Sequence, residues 1–216
     1  MNPEFPYKYI CIEGNIGSGK TSFCKQLAQQ YHMELVLEQF SENPFLSHFY
    51  ENPSRYALPV ELFFMTERFN QISASMSSGQ LFSPVIVSDY FFDKTRLFAH
   101  LNLNEMEYRL FLQIYDTLAP LLRPPDLVVY IHRPVEQLKD HIHKRGRSFE
   151  QQISTQYLQS IQDRYFDYFR MEMDFPVVIV NAEQLHFTDN HEDFIKLAEI
   201  LQKEYTRRVH RVSFIH

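Results

Sequence analysis

The chain contains no tryptophan, only two cysteines and only five glycines in 216 residues. Cys11 and Cys24 are too few to build a disulfide framework or a cysteine metal cluster, so both read as small core residues in a first strand and a first helix. No run approaches the roughly eighteen apolar residues a membrane span needs, and the opening M-N-P-E-F-P has neither a basic start nor an apolar stretch. A cytoplasmic protein without a membrane partner is therefore expected. A basic surplus is also lacking. A net charge of −6 with an isoelectric point near 5.9 argues against a protein that tracks a nucleic-acid polymer and for a small anionic ligand held by local charge. With 44% hydrophobic residues, the length suffices for one well-buried core, and a single domain over residues 1–216 is expected.

Three of the five glycines fall in one place. Residues Gly14 to Thr21 read G-N-I-G-S-G-K-T, a complete G-x-x-x-x-G-K-[ST] phosphate loop, and they follow the strand-like run Tyr9 to Ile12. In such a loop Gly14, Asn15, Ile16, Gly17, Ser18 and Gly19 curl the backbone so that N–H groups point at phosphate oxygens, and the helix starting near Lys20 adds its positive end. Lys20 then reaches the β- and γ-phosphates of a nucleotide, and the Thr21 hydroxyl ligates Mg²⁺. The 20 phenylalanines and 13 tyrosines are mostly core, although a flat ligand such as a nucleobase also uses such rings for stacking.

Five short β-branched or apolar runs alternate with helical patterns: Tyr9 to Ile12, Leu35 to Leu37, Val85 to Val87, Leu127 to Ile131 and Val177 to Val180. This alternation predicts an α/β fold with a five-stranded parallel sheet covered on both faces. Helices are predicted over Leu58 to Ser77, Asn104 to Leu122, Val135 to Lys144 and Ser154 to Met171, with a polar C-terminal helix over Asp189 to Arg208 and Val212 to His216 unassigned. Ligands of open parallel sheets bind beyond the carboxyl ends of the strands. That rule selects the phosphate loop after the first strand, Glu38 after the second, Asp89 after the third and Asn181 after the fifth.

These motifs, in order, are E-G-N-I-G-S-G-K-T, then L-E-Q-F-S-E-N-P-F-L, then F-Y-E-N-P-S-R-Y-A-L-P-V-E-L-F-F-M-T-E-R, then K-R-G-R-S-F-E. In order and spacing the set resembles the deoxynucleoside kinases, over residues 8 to about 181. The resemblance implies the P-loop kinase fold with an arginine-rich lid, usually a homodimer, moving the γ-phosphoryl of ATP to the 5′-hydroxyl of a deoxynucleoside in nucleoside salvage, with Mg²⁺ as cofactor. It implies that Glu38 accepts the 5′-hydroxyl proton, a role suited to a carboxylate beside a poor nucleophile. It implies that Arg145 and Arg147 stabilise the transferring phosphoryl, that Tyr50 and Glu150 hold the sugar 3′-hydroxyl, and that Phe98 stacks on the base. His141 stands where many relatives carry a further basic residue.

Two positions depart from the family pattern. Relatives place D-R-S or E-R-S after the third strand, whereas this chain has Ser88-Asp89-Tyr90. Asp89 can still serve Mg²⁺, but the arginine beside the 5′-oxygen is missing, and Lys94 or Arg96 is the expected substitute. Where most relatives read the base with a glutamine, this chain has Glu61. An ionised glutamate only accepts hydrogen bonds, which suits the N1–H and N2–H₂ of guanine, with Arg68 at i+7 donating to O6 or N7. A purine, deoxyguanosine first, follows. The alternative is that Glu61 pairs internally with Arg68. Rival classes are a nucleoside monophosphate kinase of the thymidylate kinase type, which has less use for a general base at Glu38, and a kinase-like accessory subunit of a respiratory complex with degraded catalysis. An N-K-x-D motif of guanine-binding switches is absent from the sequence.

Overall fold

A computed structural model describes residues 4–39, 43–77, 84–171 and 173–214. In chain order the elements are β1 (Tyr9–Gly14), α1 (Lys20–Tyr31), β2 (Glu34–Val36), α2 (Leu46–Glu51), α3 (Pro53–Ser77), β3 (Ile86–Ser88), α4 (Lys94–Asn102), α5 (Glu105–Leu118), β4 (Leu127–His132), α6 (Val135–Arg145), α7 (Thr155–Phe169), β5 (Val177–Asn181), α8 (His191–Ala198) and β6 (Val209–Ser213). All strand pairs are parallel, in the order β2-β3-β1-β4-β5-β6.

The alternation of side chains along each strand divides the core between the two faces. On one face Ile10 and Ile12 of β1 and Val129 and Ile131 of β4 pack with Phe23 and Leu27 of α1 and Leu197 of α8. On the other, Tyr9 and Cys11 of β1 and Tyr130 of β4 pack with Ile161, Tyr165 and Phe169 of α7. Both cysteines are buried and unbridged. Because β2 and β3 lie to one side of β1 and β4, β5 and β6 to the other, the strand order reverses at β1, which places the phosphate loop at the crevice where such sheets bind ligands.

The sheet has six strands, not five. The sixth, Val209–Ser213, overlaps the unassigned tail. As an edge strand it buries little: Val209 and Val212 are half covered, while Arg211 lies over the Phe166 ring at 6.0 Å, so the run lacks the strong apolar signal of the inner strands. The expected helix over Asp189 to Arg208 is helical only at α8 and a 3₁₀ turn, Glu199–Gln202, because the chain then extends to enter β6. The helix expected to reach Leu122 ends at Leu118, where Pro120, lacking an N–H, turns the chain into a 3₁₀ segment. Two further helices, α2 with six residues and α4 with nine, are too short for periodicity to mark them. Among the described residues no helix is long and apolar enough to cross a membrane.

Candidate active site

The phosphate loop joins the carboxyl end of β1 to α1. Asn15 is buried; its amide donates to the Leu158 carbonyl at 2.8 Å and its oxygen accepts from the Ile16 N–H at 2.8 Å, so this side chain builds the loop and ties it to α7. Gly17 has φ 84°, and a Cβ there would lie 2.7 Å from the Leu138 carbonyl oxygen, which only glycine avoids. The helix cap, Gly19, supplies no side-chain bond, and the first turn of α1 has no acidic residue. Its open N–H groups and positive end are thus left for an anion. Lys20 lines the adjoining cleft and donates to the Asn15 carbonyl at 3.3 Å. Burial, reinforced by Lys94, pulls its ammonium down to about 8 against the opposing pull of Asp89 and Glu13. Lys20 is therefore charged below that pH and neutral above it, so nucleotide affinity is expected to fall several-fold as pH rises through about 8. Nucleotide binding titrated from about pH 7 to about 9.5 checks this; an affinity that stays flat removes Lys20 from phosphate binding.

Glu38 follows β2 and points into the same cleft. Its Oε1 accepts from Arg68 Nε at 2.9 Å and from Arg68 Nη2; its Oε2 accepts from Lys94 Nζ at 2.9 Å. Burial works to raise this carboxyl, but Lys94 and Arg68 outweigh it and hold it well below the usual carboxylate range. Of the two cations expected there, Lys94 reaches the Glu38 carboxylate. Arg96 does not: its guanidinium lies over the rings of Tyr115 and Tyr168, 5.6 and 5.7 Å from their centroids. Tyr90 is fully buried, with its hydroxyl donating to Gln71 at 2.6 Å and its ring 5.9 Å from the Arg68 guanidinium.

The alternative pairing of Glu61 with Arg68 is not formed: Arg68 Nε and Nη2 donate to Glu38 and its Nη1 donates to Thr95 at 2.9 Å, while Arg68 still lines the cleft with Glu61. The i+7 spacing does put both residues on one face of α3, but the carboxylate of Glu38 enters between α3 and α4 and captures the guanidinium. Glu61 instead accepts from Asn102 Nδ2 at 2.7 Å, and Asn102 accepts from the Tyr157 hydroxyl at 3.1 Å.

Asp89, after β3, has one oxygen on the Thr21 hydroxyl and the other on the Glu38 backbone N–H at 2.8 Å. Thr21 and Asp89 are thus adjacent, as their assignment to one metal requires. A hydroxyl and a carboxylate, both hard oxygen donors, fit Mg²⁺, which keeps waters and substrate phosphates as its other ligands. Among the described residues no group of three or more His, Cys, Asp or Glu side chains could hold a metal alone. Asn181 ends β5 exposed, accepting from the Glu183 N–H at 3.1 Å, and does not line the cleft.

The cleft is open to solvent on one side, and its walls include Tyr50, Glu61, Phe98 and Glu150. Phe98 carries Lys94 over its ring at 5.7 Å, and Tyr50 stacks on Phe149 at 6.1 Å. Helix α6 stops at Gly146, whose φ of 73° is the left-handed cap that only glycine takes easily. That stop places Arg145 at the end of α6 and Arg147 before the next turn, and both pair with Glu150, Arg147 at 3.1 Å. The Arg145 side chain is 34% exposed. His141 Nδ1 meets the Gly17 carbonyl at 2.8 Å, so this ring nitrogen carries the proton and donates; His143 bonds Gln151. Lys144 is exposed.

The family model for deoxynucleoside kinase matches residues 10–205. The chain belongs to the deoxynucleoside kinase family. It is 29% identical over 194 residues to deoxyguanosine kinase of Bacillus subtilis, covering 88% of this chain and 94% of that one. It is 26% identical over 200 residues to deoxyadenosine kinase of Dictyostelium discoideum, covering 91% and 79%. A solved structure of deoxyadenosine kinase from M. mycoides superposes with a TM-score of 0.75 over 89% of this chain and 97% of that chain, at 21% identity, which establishes the shared fold.

Two buried groups of this kinase escaped the sequence reading. Glu13, fully buried at the end of β1, accepts from the N–H groups of Phe91 and Gly14 and from the Tyr165 hydroxyl at 2.7 Å, tying the phosphate loop to the segment after β3 and to α7. Arg133, directly after β4, is 4% exposed and donates to the carbonyls of Ser18, Ala182 and Leu185 at 3.3, 2.6 and 2.7 Å, with Phe187 beneath it at 5.1 Å. It bolts the phosphate loop to the segment after β5. The strand-end rule covers this position too, since it lies beyond β4. Arg133→Met is expected to raise the KM for ATP several-fold with a smaller effect on kcat, because the carbonyls lose their shared clamp. Steady-state kinetics with varied ATP checks this, and an unchanged KM removes the clamp from nucleotide binding.

Proposed function

We propose that this kinase transfers the γ-phosphoryl of ATP, with Mg²⁺, to the 5′-hydroxyl of a purine deoxynucleoside, deoxyguanosine first, in nucleoside salvage. The observation that carries the reading is Glu38, a carboxylate held between Arg68 and Lys94 in the same cleft as Lys20 and Thr21. A neutral hydroxyl acceptor needs such a group; a phosphate acceptor needs additional cations there instead, so the thymidylate-type alternative is disfavoured. The degraded accessory-subunit reading is disfavoured because Lys20, Thr21, Glu38, Arg145 and Arg147 are all present.

In this mechanism the loop amides and Lys20 hold the triphosphate, while Thr21 and Asp89 hold the cation. When bound, Mg²⁺ offsets phosphate charge. Glu38 accepts the hydroxyl hydrogen bond, orients the oxygen and takes its proton. Its weak basicity suits a loose transition state in which the proton departs late. Tyr50 and Glu150 take the 3′-hydroxyl, and Arg145 and Arg147 turn to the equatorial oxygens. Phe98 stacks on the base. The protein is cytoplasmic and homodimeric in this proposal, with no nucleic-acid polymer as partner. The test is ATP-dependent phosphorylation of the four deoxynucleosides beside their monophosphates. Turnover of a deoxynucleoside, deoxyguanosine leading, is the expected result; turnover of monophosphates alone overturns the reading.

A further inference from the structure

Glu61 is 2% exposed, and its Oε2 has no hydrogen-bond partner. Its other oxygen is committed by a relay from two further helices. The Tyr157 hydroxyl, on α7, donates to Asn102 Oδ1 at 3.1 Å, and Asn102 Nδ2, at the end of α4, donates to Glu61 Oε1 at 2.7 Å. The ionised carboxylate fixes which way the amide faces, since turned over it would set its oxygen against a carboxylate oxygen, and the tyrosine hydroxyl then donates to the amide oxygen. All three side chains line the cleft. A buried polar atom left unpaired costs stability unless a ligand satisfies it.

We propose that Asn102 and Tyr157 are specificity-positioning residues, which commit Oε1 of Glu61 and leave Oε2 as the atom that reads the base, so that the site selects guanine over adenine. The inference rests on the deoxynucleoside kinase reading above. Guanine offers adjacent N1–H and N2–H₂ donors to an acceptor. Adenine presents N1, itself an acceptor, and opposes an ionised Oε2. A protonated Oε2 donates instead and meets adenine N1, so the choice follows the charge of Glu61. The charged and titratable groups facing Glu61 are Arg68 on its own helix, Glu38 after β2, Lys94 on α4 and Tyr157 on α7. Burial pushes Glu61 up to about 7, while the Asn102 amide and then Arg68 pull it down. The relay therefore preserves the ionised form to lower pH as well as aiming it.

The test is kcat/KM for deoxyguanosine and deoxyadenosine, from about pH 6 to about 9, in the wild type, Asn102→Leu and Tyr157→Phe. In the wild type the guanine-to-adenine ratio is expected to rise with pH through about 7. Asn102→Leu is expected to move the acid limb for deoxyguanosine to higher pH and to lower the neutral-pH ratio about tenfold, and Tyr157→Phe to act in the same direction more weakly. Should Asn102→Leu fail to fold, Asn102→Asp retains the shape, sets a second carboxylate against Glu61 and is expected to move the limb further. A limb and ratio unchanged from the wild type, or an equal loss on both bases with the limb unmoved, overturns the proposal. If the wild type phosphorylates neither nucleoside, the underlying kinase reading fails instead; if it phosphorylates both and the variants do not alter the ratio, this inference alone fails.

Discussion

Glu38→Gln lowers deoxynucleoside turnover by about 10²-fold or more while leaving ATP binding nearly intact. The amide cannot take a proton, and its NH₂ group repels one of the two donors now held there by Glu38, Lys94 on one oxygen and Arg68 on the other. Two buried cations then lose their shared counter-charge, so some loss of thermal stability accompanies the kinetic defect. Measuring nucleotide binding alongside turnover separates the two, because the phosphate loop is built by Asn15, Gly17 and α1 rather than by Glu38. Since Lys94 and Arg68 hold the Glu38 carboxyl so low, it contributes no acid limb to the pH profile within the ordinary working range. Unchanged turnover in this variant would remove Glu38 from the chemistry.

Lys94→Met lowers kcat by about 10²-fold, whereas Arg96→Met leaves it close to the wild-type value. The two cations are two residues apart on α4, which puts them on different sides of the helix. Lys94 reaches the Glu38 carboxylate at 2.9 Å, and Arg96 faces tyrosine rings away from the cleft. Removing Lys94 leaves Arg68 alone to balance Glu38 and takes away the ammonium beside the acceptor oxygen. Steady-state kinetics on both variants decides the matter: equal defects, or a larger one in Arg96→Met, would mean that Lys94 is not the substitute for the arginine missing at Tyr90.

The inner strands and the groups at their ends were legible because β-branched runs and strand-end position are local properties. Glu38 and Asp89 were found in that way and Lys20 and Thr21 by the phosphate-loop motif, and the structure brings all four to one cleft, with Asp89 touching both Thr21 and the Glu38 backbone. The pairing of Arg68 with Glu38 was not legible because helical spacing reports only neighbours on the same helix, whereas Glu38 comes from 30 residues away. Asn102 and Tyr157 were invisible for the same reason, being joined to Glu61 across 41 residues and to each other across 55. The sixth strand gave little signal because this edge strand has only two valines, three residues apart and half covered, among polar residues.

Asp89 has one oxygen on the donor side, at Thr21, and the other on the acceptor side, at the amide of Glu38. With donor and acceptor bound as proposed, the two meet at opposite oxygens of one carboxylate, and any factor by which a bound nucleotide alters nucleoside affinity must equal the factor in the reverse direction.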